Sequence, residues 1–182
     1  MLPKTMSKII TPDELVRRLD ERGRQHRRLV FTNGVFDLLH IGHVRYLQQA
    51  RALGSLLVVG LNSDASVRSL KGPNRPLVPQ AERAELLAAL ECVDHVIIFD
   101  TPTAVHLVEA LRPEVYAKGG DYAHHSGIGE GPLEIRSLDD LAKPLPEAGP
   151  VVAYGGRVVL IPYLRGYSTT ELIDRIVRQG AS

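Results

Sequence analysis

Short apolar runs separated by amphipathic stretches recur along this chain, a pattern that predicts alternating β-strands and α-helices. Each run is rich in Val, Leu and Ile and is bounded by turn-forming residues, as expected for strands buried on both faces. Five strands are predicted: Leu29 to Thr32, Leu56 to Leu61, Val93 to Phe99, Val115 to Lys118 and Val158 to Ile161. We therefore expect an α/β fold, a Rossmann-like, doubly wound parallel five-stranded sheet in a single domain.

The predicted helices show apolar residues three and four positions apart. Thr11 is expected to cap the first helix, with Pro12 at its first position, so residues 1–27 form an N-terminal helical segment ahead of a domain at 28–182. The apolar faces of the predicted helices comprise Leu15, Val16 and Leu19; Val44, Leu47 and Ala50; Leu86, Leu87 and Leu90; and Leu172, Ile173, Ile176 and Val177. A further helix is predicted near Thr103 to Leu111.

Residues 123–144 interrupt this alternation with a polar, irregular stretch rich in Gly and Pro. Loops of this length without secondary structure are uncommon in compact domains and are often functional or disordered. We interpret the stretch as an insertion, and two interpretations stay open: a surface loop, or a lid over a neighbouring ligand site.

Composition fits one folded domain, because 182 residues with 44% hydrophobic content can bury one sizeable core. A net charge of +1 with scattered basic residues does not predict nucleic-acid binding. No apolar run approaches the roughly 20 residues that span a bilayer, and the N-terminus does not resemble a signal peptide, so we expect no membrane association. The single cysteine, Cys92, lies in an apolar run and suits core packing in a reducing cytoplasm.

The segment Thr32 to His43, TNGVFDLLHIGH, carries the strongest chemical signal. It follows the first strand, is expected to turn at Asn33-Gly34, and enters a helix on which His40 and His43 point to the same side. Gly42 leaves the backbone open, and a helix N-terminus offers free N–H groups to phosphates. The alternatives are capping or surface histidines, or half of a zinc site, although helical zinc pairs more often use i and i+4 spacing.

Other candidate residues lie where predicted strands end. Asn62 follows the second strand, Lys118 ends the fourth beside Gly119-Gly120, and Ser168 and Thr169 open the last helix. Ligands of open parallel sheets bind at this edge. Neither a Walker A string nor a GxGxxG fingerprint occurs, which removes the main support for a kinase or a dinucleotide-dependent dehydrogenase.

The HIGH segment resembles the HxGH signature of the nucleotidyltransferase superfamily. Two further segments, Lys118 to Tyr122 and Gly166 to Thr170, occur in the order typical of its small cytidylyltransferase-like branch. Within that branch the chain is most similar to adenylyltransferase domains that act on D-glycero-β-D-manno-heptose 1-phosphate. The segments that carry this similarity are FTNGVFDLLHIGHVRYLQQAR, VGLNSDASVRSLKGPNRPLVP, VYAKGGDY and GGRVVLIP followed by STTELI. Val35 stands where the heptose group usually has cysteine.

The resemblance implies transfer of AMP from ATP to a sugar 1-phosphate with release of pyrophosphate, a reaction that depends mainly on positioning and charge neutralisation. The expected catalytic residues are His40, His43 and Lys71. The expected nucleotide-binding residues are Thr32, Asn33, Gly34, Phe36, Gly42, Asn62, Lys118, Gly119, Asp121, Ser168 and Thr169. The expected acceptor-binding residues are Asp37, Arg75 and Arg83. Arg83 is equally compatible with a structural role. Asp37 could orient the acceptor or the turn, and the resemblance favours the acceptor site. Lys71 and Arg75 are expected on a mobile loop.

Mg²⁺ is the expected cofactor, and a homodimer and a separate sugar kinase of the same pathway are the expected partners. One alternative is a glycerol-3-phosphate cytidylyltransferase-like enzyme that uses CTP, or a related transferase with another phosphorylated acceptor. The other is a non-catalytic nucleotide-binding module, which is disfavoured because both histidines and Lys71 are present.

Overall fold

The computed structural model describes residues 5–21, 28–119, 131–135, 137–162 and 169–180. The strands are β1 (Leu29–Gly34), β2 (Leu56–Asn62), β3 (His95–Phe99), β4 (Val115–Gly119), β5 (Leu133–Ile135) and β6 (Arg157–Ile161). The helices are α1 (Pro12–Glu21), α2 (Ile41–Ala52), α3 (Asp64–Lys71), α4 (Gln80–Ala89), α5 (Val105–Leu111), α6 (Ala148–Ala153) and α7 (Thr169–Gly180).

The described strands form a six-stranded sheet in the order β3-β2-β1-β4-β6-β5. All neighbours pair in parallel except β5, which runs antiparallel to β6. The α/β, doubly wound prediction is therefore confirmed, but the predicted count of five strands is wrong. The extra strand lies within the insertion predicted to be irregular; it has three residues, of which only Ile135 is buried, so its sequence carries no recognisable alternation.

Helices cover both faces of the sheet and create two apolar layers. One layer joins Phe31 and Tyr116 of the sheet to α1, α5 and α6, and the other joins Val30 and Val59 to α2 and α4. Cys92 packs against the second layer, as its apolar surroundings predict.

The N-terminal segment belongs to the same core, because Leu15 is fully buried and Leu19 nearly so. Glu14 N donates to Thr11 Oγ1 at 3.2 Å, which confirms the predicted helix cap. Upstream, Ile10 N donates to Val96 O at the sheet edge, and Lys8 Nζ donates to carbonyls that follow α4.

Some predictions of local structure are wrong. Leu86 is 48% exposed and does not face inward. Strand β1 continues through the predicted turn, because Gly34 still pairs with Leu61 of β2. Within the part of the chain that the structure describes, every helix is too short or too polar to cross a membrane.

The strand order reverses between β1 and β4, whose carboxyl ends are Asn33-Gly34 and Lys118-Gly119. Open α/β sheets bind ligands in the crevice at such a switch point. The fold therefore brings the candidate residues of two distant segments to one place.

Candidate active site

The rings of His40 and His43 stack at this edge, with centroids 3.9 Å apart and planes inclined by 29°. His40 has an extended backbone and precedes α2, and its carbonyl accepts hydrogen bonds from the N–H groups of His43 and Val44. The pair is thus brought together as predicted, although His40 caps the helix instead of lying within it. Gly42 lies between them in the first turn of α2.

Burial, the neighbouring His40 and the positive charge of Lys71 lower the pKa of His43 to about 4, against a smaller opposing effect of the Leu38 carbonyl. Burial also lowers the pKa of His40, while Glu171 of α7 acts in the opposite direction. Both rings are therefore neutral at pH 7, and a neutral imidazole still offers one N–H donor. Nδ1 of each ring is buried without a hydrogen-bond partner among the described residues.

Phe36 packs against His43, with the two ring centroids 5.2 Å apart. Its backbone has a φ of 47°, in the left-handed region that bulky residues rarely occupy. Gly34 makes room for it, because a Cβ at Gly34 would lie 3.0 Å from Cε2 of Phe36. Gly34 and Phe36 therefore allow a tight turn between β1 and the segment that carries the histidine pair.

Asp37 anchors the loop between α3 and α4. Its Oδ2 accepts a 2.6 Å hydrogen bond from Arg75, and its Oδ1 accepts from the N–H groups of Leu77 and Val78 at 2.7 and 3.0 Å. Burial alone would raise the pKa of Asp37, but the hydrogen bonds from Val78, Arg75 and Leu77 outweigh it and lower the pKa. The structure thus favours the second of the two predicted roles for Asp37, in which it orients the turn and the loop.

Arg83 is 1% exposed, and all three nitrogens of its guanidinium are occupied. They donate to the carbonyls of Val78, Val35 and Asn62, and Nη2 forms a 2.6 Å ion pair with Asp64. Of the two predicted roles, this geometry favours the structural one. Arg83 ties the turn after β1 to the end of β2 and to the start of α4.

Asn62 ends β2, and Lys71 ends the helix α3 that follows it. Asn62 is 4% exposed, and its Nδ2 donates to Oγ of Ser66, so its side chain organises the first turn of α3. Lys71 is the exposed last residue of α3, followed by Gly72 with a φ of 92°. Lys71 therefore lies not in the predicted loop but in the last position of a helix that Ser63 caps.

Lys118 joins the two central strands. Its Nζ donates to the backbone oxygen and to Oδ1 of Asn33, both at 3.2 Å, and Asn33 Oδ1 also accepts from the hydroxyl of Tyr116 at 2.6 Å. Glu147, which precedes α6, lies on the other side of Asn33 with its Oε1 3.5 Å from Nδ2. Burial lowers the pKa of Lys118, and the negative charge of Glu147 acts in the opposite direction.

Thr32 is fully buried beneath this edge, and its hydroxyl bonds to that of Tyr46, which also donates to the Ala117 carbonyl. Thr32 therefore links β1, α2 and β4 and does not face the crevice. Gly119 ends β4, and Thr169 begins α7 with a half-buried side chain. The predicted roles of Asp121 and Ser168 concern residues outside the described part of the chain.

Sequence reasoning assigned no role to Tyr46, Asp64, Tyr116 or Glu147. Two of them, Tyr116 and Tyr46, resemble ordinary core aromatics in sequence. Asp64 lies just after the second predicted strand in the sequence, and in the structure it begins α3. Glu147 follows a Pro-rich stretch, and its proximity to Asn33 depends on tertiary structure alone.

A family model described as cytidylyltransferase-like matches residues 31–175. The chain belongs to the cytidylyltransferase-like family. The match covers the stacked histidine pair, the Asp37 loop and Lys118, so the predicted nucleotidyltransferase family is confirmed.

Curated relatives of this family member include the bifunctional protein HldE of Geotalea uraniireducens (strain Rf4), 49% identical over 96% of this chain. HldE of Syntrophotalea carbinolica is 48% identical over 94% of it. The chain spans about a third of the length of these relatives, 32% and 31% respectively.

One similar solved structure is the lipopolysaccharide core biosynthesis protein from Thermoplasma volcanium GSS1. It has a TM-score of 0.54 and 24% identity, and the match covers 78% of this chain and 99% of that one. At this identity the likeness supports the shared fold.

Proposed function

We propose that the chain transfers AMP from ATP to D-glycero-β-D-manno-heptose 1-phosphate and releases pyrophosphate. The observation that carries the proposal is the stacked His40–His43 pair at the start of α2, beside the Asp37–Arg75 loop and Lys118 at the strand ends. The segments that resemble heptose 1-phosphate adenylyltransferase domains include all of these residues. The HldE relatives match this chain over nearly its whole length.

In the proposed reaction an acceptor phosphate oxygen attacks the α-phosphorus, and the bond to the β-phosphate oxygen breaks in line. The acceptor is already anionic, so no strong general base is required and positioning and charge neutralisation dominate. His40 and His43 donate N–H groups to the triphosphate as charge develops on the leaving pyrophosphate. Burial lowers the pKa of both rings, and a phosphate anion in contact with them would act in the opposite direction.

Three basic residues are proposed to neutralise the phosphate charge or to line the base site. Lys71 acts on His43 electrostatically, which supports a role for its charge in the proposed phosphate site. Arg75 is held by Asp37 through one guanidinium nitrogen, and a guanidinium has further N–H donors for an acceptor phosphate. Lys118 directly precedes Gly119, the last residue of β4, where the lack of a side chain lets a flat base approach the backbone.

Mg²⁺ is proposed as the cofactor. Among the described residues no group of three or more His, Cys, Asp or Glu side chains is arranged to hold a metal ion, and both oxygens of Asp37 are occupied. Mg²⁺ is commonly held by substrate phosphates with one or two carboxylates. A site without its own cluster of metal ligands is compatible with an ion that binds together with the nucleotide. When bound, it would neutralise phosphate charge.

A second candidate function is transfer of CMP from CTP to glycerol 3-phosphate, or nucleotidyl transfer to another phosphorylated acceptor. It shares the histidine pair and the last helix with the first candidate. The segments Lys71 to Pro79 and Lys118 to Tyr122 resemble the heptose group better. We therefore rank ATP with a sugar 1-phosphate first. A homodimer, a separate sugar kinase and a cytoplasmic location remain predictions.

The test is a matrix of ATP and CTP against heptose 1-phosphate, other sugar 1-phosphates and glycerol 3-phosphate, with and without Mg²⁺. Pyrophosphate release is measured and the nucleotide product is identified by mass. We expect the highest kcat/KM for ATP with heptose 1-phosphate and an ADP-sugar product. A higher kcat/KM for CTP with glycerol 3-phosphate would move the chain to the second candidate, and no release with any pair would contradict both.

A further inference from the structure

We propose that Glu147 is a positioning residue of the nucleotide site, whose buried carboxylate fixes the Asn33 amide and balances the charge of Lys118. The inference rests on the proposed function, because that function gives Asn33 and Lys118 their role. Glu147 does not belong to the HxGH segment, and it reaches the site from the chain that follows the insertion.

The burial of Glu147 first requires an explanation. It is 3% exposed, and an ionised carboxylate in such a place is costly unless opposite charge and hydrogen bonds compensate for it. Its Oε1 accepts a 2.8 Å hydrogen bond from Ala104 N, just before α5, and faces Nδ2 of Asn33 at 3.5 Å. A neutral oxygen would satisfy Ala104 equally well, so that contact alone does not explain the charge.

The Asn33 amide shows what the carboxylate contributes. An amide side chain can be turned over, which exchanges its donor and acceptor sides. Lys118 can only donate, so it requires the oxygen of Asn33 on its side, and Glu147 can only accept, so it requires the NH₂ group. The two charged groups therefore impose the same orientation, and Tyr116 O–H donates to the same oxygen.

The charge of Glu147 also reaches Lys118. Burial lowers the pKa of Lys118, and among the described residues Glu147 is the charged group that acts in the opposite direction. The hydroxyl of Tyr116 is the other titratable group joined to this network, through Asn33. A cation is needed at the end of β4 for an anionic nucleotide, so removal of the carboxylate weakens the site without removing any group that contacts the nucleotide.

The experiment compares Glu147→Gln with Glu147→Ala in the full chain. Both contacts of Glu147 use Oε1, so the glutamine oxygen retains them and only the charge is lost. For Glu147→Gln we expect a melting temperature close to that of the wild type, an ATP KM raised about tenfold because the Lys118 cation is weakened, and an unchanged acceptor KM. The alkaline limb of kcat/KM is expected at lower pH, because Lys118 loses its proton earlier. Glu147→Ala is expected to lower the melting temperature as well.

Glu134→Gln is the matched control. Glu134 is an exposed glutamate of β5 that pairs with Arg157, remote from Asn33 in the sheet order. The same change of charge there is expected to leave the ATP KM and the pH profile of the enzyme unchanged. An equal effect in both variants would indicate a general charge effect and would overturn the proposal.

A Glu147→Gln enzyme with the wild-type ATP KM and the wild-type alkaline limb would overturn the role of the Glu147 charge. A folded Glu147→Ala enzyme with the wild-type ATP KM would overturn the role of Glu147 in fixing Asn33. If the wild type transfers nucleotide to no acceptor, the proposed function fails, and equilibrium binding of a non-hydrolysable ATP analogue then decides. Weaker binding by Glu147→Gln than by the wild type supports the positioning role. Equal binding, or no binding by either protein, overturns it.

Discussion

Arg75 and Asp37 form a 2.6 Å ion pair between the loop after α3 and the turn after β1. Asp37 is 5% exposed and also accepts two backbone N–H groups from the same loop. The predicted acceptor loop is thereby fixed to the segment that carries the histidine pair. Changes at Asp37 are therefore expected to affect both stability and the binding of the acceptor.

Asp37→Asn removes the charge that holds Arg75 and weakens the bonds from Leu77 and Val78. We expect the free energy of unfolding to fall by about 1–3 kcal/mol and the acceptor KM to rise at least tenfold, with a smaller change in the ATP KM. Denaturant unfolding and steady-state kinetics measure the two effects. The exposed Asp13→Asn on α1 is the control and is expected to change neither KM.

The Asp37 effect has a defined pH dependence. Its pKa in the folded state is lowered below the ordinary value of 3.8, so its stabilisation is present at neutral pH and is lost as pH falls through the folded pKa. The wild type and Asp37→Asn should therefore converge in stability in acid. A stability difference that is independent of pH would contradict the ion pair as its cause.

His43 is expected to make stability depend on pH in a higher range. Its pKa is lowered from 6.5 to about 4, so the unfolded chain binds a proton between these values that the folded chain does not. The wild type should lose about 2 kcal/mol relative to His43→Gln as pH falls from 6.5 to 4, a value reduced for the partial exposure of the ring. Urea unfolding at half-unit pH steps measures this difference. Parallel stability curves for the two proteins would contradict the burial of a neutral His43.

Arg83→Lys separates the two roles predicted for Arg83. The structural role requires the guanidinium, because a lysine cannot bond to Val78, Val35, Asn62 and Asp64 at once. We expect a loss of about 3 kcal/mol or more in stability, with the acceptor KM within about twofold of the wild type at a temperature where the variant is folded. An acceptor KM raised tenfold or more in a variant of wild-type stability would instead establish acceptor binding.

The strands β1, β2, β4 and β6 were predictable within one or two residues, because buried parallel strands are continuous Val, Leu and Ile runs. The helices α3 and α6 were not predicted. In α3 the buried positions are Ser66 and Val67, and α6 contains Gly149 and Pro150, so neither shows an apolar stripe.

The site was predictable where chemistry follows from local sequence. The spacing of His40 and His43 and the position of Lys118 at a strand end both led to the crevice. The role of Arg83 was not predictable, because a charged residue on a helix gives no sign that four tertiary partners surround it. Glu147 was missed for the same reason.

Replacement of residues 123–144 by a short Gly-Ser linker tests the insertion. Strand β5 lies within it and covers the edge of β6, so its removal exposes unpaired backbone groups of a hydrophobic strand. We expect turnover close to that of the wild type, a lower melting temperature and association that increases with concentration. Calorimetry, light scattering and steady-state kinetics test these outcomes, and a large rise in the ATP KM would instead establish a lid.

The central claim is that the stacked pair of histidines stabilises charge on the phosphates during nucleotidyl transfer. The most direct measurement is the single-turnover rate of pyrophosphate release from ATP and heptose 1-phosphate by the wild type, His40→Ala, His43→Ala and the double variant. Circular dichroism of each protein confirms that the fold survives. We predict formation of an ADP-sugar by the wild type and a loss of about 10²-fold or more for each single variant. A folded double variant that releases pyrophosphate at nearly the wild-type rate would contradict the account.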